Sequence, residues 1–286
     1  MRRLCSLLAL TGLLMGNPAQ ARPINLLADS VSAPGHVDWQ SYGYYAPVQL
    51  KVIAGSVYTA NPVGQGYHWL SEWNNVEVGV LPSTSLNLIL PADAMFRFDG
   101  SDHGLGPGDV GLGLSRQVLS GDSFRWRTRL RTSLPTGDAT HGLGAGTGTI
   151  GFDNSWGSTL WRDRLFVTAN ANYTYYLRTT QDDPASGLPT AFWRGQSAQG
   201  NLSLEFALTP ALSAVGEVLA TVDSASEQNR QGVATSGDYG VSLAPGVSYM
   251  VLKGLSLMGA VLVPVVRGGY QDSYQLEGMV GALARF

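Results

Sequence analysis

The sequence predicts an all-β protein, a transmembrane antiparallel up-and-down β-barrel of about twelve strands. Three observations favour this class. Only 14% of the 286 residues are charged and 36 are glycine, a composition typical of barrels with an apolar outer face and a polar lumen. Apolar and polar residues alternate along many segments, as strands with two different faces require. The connections between these segments are alternately short and long.

The clearest strand is the stretch of residues 124–134. One face is apolar or aromatic apart from two threonines. The other face carries a serine and four arginines: Arg125, Arg127, Arg129 and Arg131. A helix would distribute these arginines around its whole circumference, so the alternation favours a strand. In a soluble protein the arginines would form a solvent-facing edge, whereas in a membrane barrel they would line the lumen.

The first residues have the pattern of a secretory signal peptide, residues 1–21. Two arginines precede an apolar core at residues 4–15, and small residues at 19–21 form a cleavage site. The core is too short to cross a bilayer as a helix. The single cysteine, Cys5, lies inside this signal. We therefore expect a mature chain without disulfides or thiol chemistry.

Residues 22–46 show no clear period. We expect a periplasmic lead-in segment there, or alternatively a short segment tucked into the barrel mouth. Residues 47–286 are then the barrel domain. Its twelve strands are predicted at residues 48–59, 69–81, 85–97, 109–119, 123–134, 149–161, 165–178, 196–208, 212–223, 238–252, 255–267 and 274–286. Pro264 lies inside one of these segments and predicts a bulge or a local break there.

The predicted connections separate into two kinds. The short ones contain turn residues and lie at 82–84, 120–122, 162–164, 209–211 and 253–254. The long ones are rich in Gly, Asp, Ser and Asn and lie at about 60–68, 98–108, 135–148, 179–195, 224–237 and 268–273. Outer-membrane barrels have short periplasmic turns and long extracellular loops. A soluble sandwich has no reason to keep all long loops at one end, so the alternation predicts a membrane barrel.

The chain ends on Phe286, at the end of the last predicted strand. A terminal phenylalanine in this position resembles the signal by which bacterial outer-membrane barrels are recognised for insertion. We therefore expect the lipid bilayer and the barrel-insertion machinery as partners, the latter through Phe286, in the outer membrane of a Gram-negative cell. The chain has 18 basic and 21 acidic residues and no basic block, which predicts no nucleic-acid partner.

Glycine-rich stretches open two of the predicted strands, at residues 104–114 and 142–148. Strands follow them rather than helix N-termini, so they do not predict a phosphate-binding loop. Together with Ser-Leu-Pro-Thr-Gly-Asp at 133–138 and Leu-Ala-Pro-Gly-Val-Ser-Tyr at 243–249, they resemble the outer-membrane family linked to the meta-cleavage pathway of phenol degradation. The resemblance covers roughly residues 100–286. It implies a transporter of small hydrophobic or aromatic compounds, distantly similar to long-chain fatty-acid and aromatic-hydrocarbon channels.

The candidate site is the arginine row with acids that parity places on the same inner face. The candidate lumen-lining acids are Asp109, Asp153, Glu205 and Glu217, with Asp93 and Glu277 as further counter-charges. The turn at 120–122 predicts Gln117 opposite Arg125 and Ser115 opposite Arg127. Small residues of the neighbouring strands would leave the arginines room to extend. Two interpretations remain open: a salt-bridge network that braces the barrel, and a charged constriction that selects permeants.

We therefore expect a passive channel for small hydrophobic, aromatic or anionic permeants, with no catalytic residue, no cofactor and no bound metal. One alternative is a structural or adhesive barrel with a filled lumen. A less favoured alternative is an outer-membrane hydrolase, for which the faint match is the loop residues Asp102, His103, Asp138 and His141.

Overall fold

The computed structural model describes residues 31–53, 56–58, 67–97, 102–121, 123–138, 143–161, 164–182, 189–232, 237–269, 272–274 and 277–285. Within these residues the protein is a closed antiparallel β-barrel, which confirms the predicted class. The predicted signal peptide and Phe286 lie outside the described residues. The described residues contain no helix long and apolar enough to cross a bilayer.

Twelve strands, numbered here in chain order, form the barrel. They are β1 Val37–Ile53, β2 Tyr67–Leu81, β3 Thr84–Arg97, β4 Gly111–Ser120, β5 Phe124–Ser133, β6 Thr149–Leu160, β7 Leu165–Tyr176, β8 Gln196–Ala207, β9 Leu212–Asp223, β10 Asp238–Leu252, β11 Leu255–Gly269 and β12 Glu277–Arg285. Each strand pairs with the next one in the chain. The pairing of β1 with both β2 and β12 closes the barrel.

The two faces of each strand differ because successive side chains point to opposite sides of a sheet. In β8, Leu202 and Leu204 are exposed on the outer face, whereas Asn201, Ser203 and Glu205 are buried on the inner face. This is the predicted assignment of faces. An apolar outer surface around a polar interior is the arrangement that a barrel needs in lipid.

The connections are alternately short and long, as predicted. The short ones comprise residues 82–83, 121–123, 161–164, 208–211 and 253–254. In the last of these, Gly254 has a φ of +88°, a conformation that glycine adopts without steric cost. Both ends of the barrel domain, Val37 and Arg285, lie at this short-turn end.

Shorter strands lie in the long connections. Ser56–Tyr58, Asp102–Pro107 and Asp272–Tyr274 extend the barrel sheet at its long-loop end. A separate small sheet joins two loops and consists of Thr179–Asp182, Pro189–Trp193, Glu227–Gln228 and Gln231–Gly232. This second sheet is not predictable from the sequence pattern. Its strands have two to five residues, too few for a pattern of alternation to stand out.

The predicted bulge at Pro264 is confirmed. Ser242 pairs with Pro264, and the preceding residue Val241 pairs with Val266. Val265, between Pro264 and Val266, is therefore the extra residue in β11. Proline has no N–H to donate to the neighbouring strand, and a bulge is a position where this is tolerated.

The start of the barrel differs from the prediction. Residues 22–46 were expected to precede the barrel, but β1 begins at Val37 and pairs along both of its neighbours from there. The inner face of this part is polar, with Asp38 and Gln40 buried. Ser41 and Gly43 occupy its outer face, where apolar residues would have made the alternation visible.

Residues 31–36 lie against β2 at the short-turn end of the barrel. The Gly35 N–H donates to the Gly79 carbonyl at 3.0 Å, and the Gly79 N–H donates to the His36 carbonyl at 3.1 Å. A Cβ atom at Gly79 would lie 2.0 Å from the Ala33 carbonyl oxygen. Only glycine at this position of β2 therefore lets the segment approach so closely.

Candidate functional site

The arginine row lies on β5, with β4 on one side and β6 on the other. The register with β4 is shifted by two residues from the prediction: the pairs are Gln117–Arg127, Ser115–Arg129 and Gly113–Arg131. A bulge between Gln117 and Leu119 accompanies this shift. An even shift leaves every side chain on its predicted face. Half-buried Arg125 lies opposite Ser120 and Gly157.

Glycines beside the row give the long side chains room along the barrel wall. A Cβ atom at Gly151 would lie 2.7 Å from Cζ of Arg131, and one at Gly113 would lie 3.2 Å from Cδ of Arg129. The prediction that small residues flank the arginines is therefore confirmed at these two positions.

Arg127 is the centre of a buried hydrogen-bond network near the short-turn end. It is 0% exposed and donates to Glu77 Oε2 at 2.8 Å and to Ser115 Oγ at 2.7 Å. The other oxygen of Glu77 accepts from Ser85 Oγ at 2.7 Å and from the Ser32 N–H at 2.9 Å. This network joins β2, β3, β4, β5 and the segment 31–36, so Arg127 braces the wall and holds the N-terminal segment inside.

Arg129 and Arg131 share a single carboxylate. Arg129 Nε donates to Asp153 Oδ2 at 2.7 Å, and Arg131 Nε donates to both oxygens of Asp153 at 3.1 and 3.2 Å. Arg131 also donates to Thr174 Oγ1 at 2.5 Å. Two cations on one anion leave one positive charge in excess, and the two arginines are 12% and 20% exposed.

The guanidinium of Arg129 has donors to spare. A guanidinium carries five N–H donors in a planar fork, and Arg129 uses only the one on Nε for Asp153. Its two terminal nitrogens donate to no group in the part of the chain that the structure describes. They could therefore bind a carboxylate in the two-pronged manner that this geometry favours.

The opposite side of the interior is apolar. Buried inner-face residues of β9 to β12 pack into one cluster, with partly buried Tyr42 and Leu219 against it; we call this set the apolar wall, and its buried members are Val215, Ala244, Met258, Ala260, Leu262, Met279 and Leu283. In a ring of twelve strands, β11 lies opposite β5. The interior is therefore cationic on one side and apolar on the other.

The predicted acids differ in their surroundings. Asp153 lies beside the arginines, as predicted. Asp109 contacts no arginine among the described residues; its carboxylate accepts from the N–H groups of Gly137 at 3.0 Å and Ala145 at 2.7 Å. Asp109 therefore anchors the loop that follows β5. Glu205 and Glu217 are buried on the inner face, and the side chains of Asp93 and Glu277 lie outside the described residues.

Sequence reasoning missed Glu77 and the apolar wall. The signal for Glu77 was one acid between Val76 and Val78 in an alternating strand. The signal for the apolar wall was a segment of β11 that is apolar on both faces. Neither pattern shows which strands face each other across the barrel. The pairing of Glu77 with Arg127 and the apolar side opposite the arginines therefore become visible only in the closed barrel.

An exposed ion pair lies at the long-loop end, outside the barrel interior. Arg178 donates to Glu227 at 2.9 Å, and its guanidinium lies 5.0 Å from the centre of the Trp193 ring. Arg194 has the same relation to Tyr176, at 5.1 Å. These contacts connect the small second sheet to the end of β7.

Most of the residues on which the hydrolase alternative rests lie in parts of the chain that the structure does not describe. His141 and the side chains of Asp102 and His103 lie outside the described residues, and Asp138 is exposed in its loop. Where the structure does describe the chain, no three histidine, cysteine or acidic side chains are grouped as a metal site.

The closed antiparallel barrel with an apolar outer face defines the class of outer-membrane β-barrels. The chain belongs to the family described as "Putative MetA-pathway of phenol degradation", whose model matches residues 46–265. This confirms the resemblance found in the sequence. A comparison with curated protein sequences finds no match.

Solved structures share the fold. The crystal structure of an outer membrane channel from Pseudomonas putida matches with a TM-score of 0.77 and 11% identity, over 93% of this chain and 100% of that chain. The NanC porin matches with a TM-score of 0.50 and 10% identity, over 87% of this chain and 98% of that chain. At these identities the similarity establishes the barrel architecture.

Proposed function

We propose that the protein is a passive outer-membrane channel for small amphipathic anions, such as aromatic carboxylates. The observation that carries this proposal is the excess positive charge at Arg129 and Arg131, with free donors on Arg129, opposite the apolar wall. The family and the barrel fold support a channel. The two-sided interior supports this class of permeant.

The cationic side would act on the carboxylate of the permeant. Arg129 and Arg131 are alternate residues of one strand, so their Cα atoms are about 6.8 Å apart. A carboxylate could pass from one guanidinium to the next without losing contact with a cation. Charges in a narrow, partly dry interior are screened less than on a surface, so one excess charge has more effect there.

The apolar wall would act on the rest of the permeant. Twelve strands about 4.8 Å apart and tilted by about 40° give a backbone diameter of about 24 Å. Side chains from both sides occupy much of this width. An aromatic ring could therefore contact methionine and leucine side chains while its carboxylate contacts an arginine.

The direction of insertion is part of the proposal. The alternation of connections supports short turns in the periplasm and long loops outside the cell. Phe286, which follows the last described strand in the sequence, would be the residue recognised by the insertion machinery.

A second candidate is a structural barrel with a filled interior. The Arg127 network and the segment 31–36 favour it, since both occupy the interior near the short-turn end. The two candidates differ in whether solutes cross the protein.

Uptake into liposomes distinguishes these candidates. Vesicles that contain the wild-type protein should swell faster in benzoate than in benzamide, a neutral molecule of similar size. Changing both Arg129→Gln and Arg131→Gln should remove most of this preference while benzamide uptake remains. Arg178→Gln, which removes an arginine outside the interior, is the matched control and should behave as wild type.

Equal rates for benzoate and benzamide in the wild type would contradict the proposed permeant class. An absence of swelling in both solutes would contradict the channel and leave the structural barrel.

A further inference from the structure

Trp73 is a large aromatic side chain that faces the interior of the barrel and is nevertheless exposed. It lies four residues from Glu77 on β2, and an even separation places both side chains on the same face of a strand. Its exposed fraction is 46%, close to the 49% of Leu204 on the outer face. The interior of the barrel therefore leaves this indole accessible to a solute.

The buried network fixes the height of Trp73 relative to the arginine row. Its hydrogen bonds join one residue from each of β2 to β5, namely Glu77, Ser85, Ser115 and Arg127. A move of four residues towards the long-loop end raises each position equally and keeps it on the inner face. The positions reached in this way are Trp73, Ile89, Gly111 and Arg131. Trp73 and Arg131 therefore lie at the same height, a quarter turn apart in the ring of twelve strands.

The gap between Trp73 and Arg131 has a small, apolar wall. A quarter turn corresponds to about 17 Å between the two Cα atoms when the backbone diameter is about 24 Å. Of the two positions between them, Gly111 has no side chain and Ile89 is buried against the wall. The buried network closes the gap on the side of the short turns. A flat ring could therefore enter this gap from the long-loop end.

Trp73 also continues the apolar wall towards the arginine row. It lies directly opposite Tyr42 on β1, and Tyr42 packs against the apolar wall. Apolar inner-face side chains therefore extend from β9 around the ring to β2. Trp73 is the exposed aromatic side chain at the end of this surface that lies nearer to β5.

We propose that Trp73 stacks on the aromatic ring of the permeant while Arg129 and Arg131 bind its carboxylate. This inference rests on the proposed function and names the residue that selects aromatic rings over saturated ones. Two aromatic rings in contact attract each other beyond the effect of the apolar area that they bury. A saturated ring of the same size gains only the burial. The apolar wall alone would not make this distinction, so Trp73 is the specificity-determining residue.

Competition for uptake into liposomes that contain the full-length mature protein measures this selectivity. Labelled benzoate is the tracer, and the competitor is unlabelled benzoate or cyclohexanecarboxylate, two anions that differ in the ring. With the wild type, benzoate should halve the uptake at about a threefold lower concentration than cyclohexanecarboxylate. Burial of apolar area alone predicts no advantage for benzoate, because the saturated ring is at least as apolar. Vesicles without protein give the background from diffusion through the lipid.

The variant Trp73→Leu should remove the advantage of benzoate, because leucine keeps an apolar side chain but has no aromatic face. Trp73→Phe should retain part of the advantage. Trp156→Leu, which changes a tryptophan opposite Trp126 on the outer face, is the matched control and should behave as wild type. Folding of each variant is checked by heat-modifiable mobility on gels. If Trp73→Leu does not fold, Trp73→Met takes its place with the same expected result.

Two results would overturn the role of Trp73. One is a wild-type protein in which both competitors act at the same concentration. The other is a folded Trp73→Leu or Trp73→Met variant that keeps the wild-type advantage of benzoate. Failure of the proposed function gives a different result, namely equal uptake of benzoate and benzamide by the wild type. Trp73→Leu should still prefer benzoate to benzamide, because its arginines are intact.

Discussion

Replacing Glu77 with alanine tests the buried network most severely. Glu77 accepts from Arg127, from Ser85 Oγ and from the Ser32 N–H, all within 2.9 Å. The change removes all three hydrogen bonds. It also leaves the guanidinium of Arg127, which is 0% exposed, without its anionic partner.

The expected loss of stability follows from this burial. Removing one partner of a buried ion pair costs about 3–5 kcal/mol, because the remaining charge stays desolvated. The exposed pair of Arg178 and Glu227 provides the comparison. Removing one partner of such a pair costs about 0–1 kcal/mol, so Glu227→Ala should have a much smaller effect.

The assay is urea unfolding from lipid vesicles, followed by tryptophan fluorescence, with the slope of the transition checked for each variant. The double variant Glu77→Ala with Arg127→Met should recover part of the loss, since it leaves no unpaired charge. A loss for Glu77→Ala no larger than that for Glu227→Ala would refute the buried network. So would a double variant less stable than the single one.

Three further outcomes follow from the structure. Gly79→Ala should displace the segment 31–36 from the barrel mouth and raise single-channel conductance in planar bilayers; unchanged conductance would mean that the segment does not narrow the lumen. Gly151→Val should lower stability in urea unfolding by about 1–3 kcal/mol through overpacking against the arginine row, whereas wild-type stability would contradict the close contact. A protease site inserted at Ser186 should be cut on intact cells and one at Gly121 should not, and the reverse pattern would refute the orientation.

Strand positions were largely predictable because the outer face must be apolar along its whole length. Residues 212–223 and 238–252 are strands with the predicted bounds. The first strand was predicted to begin at residue 48 but begins at Val37, because Ser41 and Gly43 interrupt the apolar outer face there. The polar residues of that segment hide the alternation of apolar and polar side chains. Only its pairing with β2 and β12 identifies it as part of the barrel.

The candidate site was predictable as a row of arginines but not as a set of partners. Alternation placed Arg127, Arg129 and Arg131 on one inner face. Which arginine braces the wall and which retains an excess charge depends on Glu77 and Asp153. Glu77 lies on β2, three strands from the arginines, and Asp153 lies on the neighbouring strand β6. Such contacts are fixed by register and closure, and a two-residue shift beside the turn at 121–123 changed the predicted register.

In the proposed function, excess positive charge at Arg129 and Arg131 governs what crosses the barrel. The most direct measurement is the reversal potential of the purified protein in planar bilayers under a KCl gradient. The wild type should favour chloride, and the double variant Arg129→Gln with Arg131→Gln should shift the reversal potential towards potassium, while Arg178→Gln should not. A conducting double variant with the wild-type reversal potential would contradict the claim and assign these arginines to structure alone.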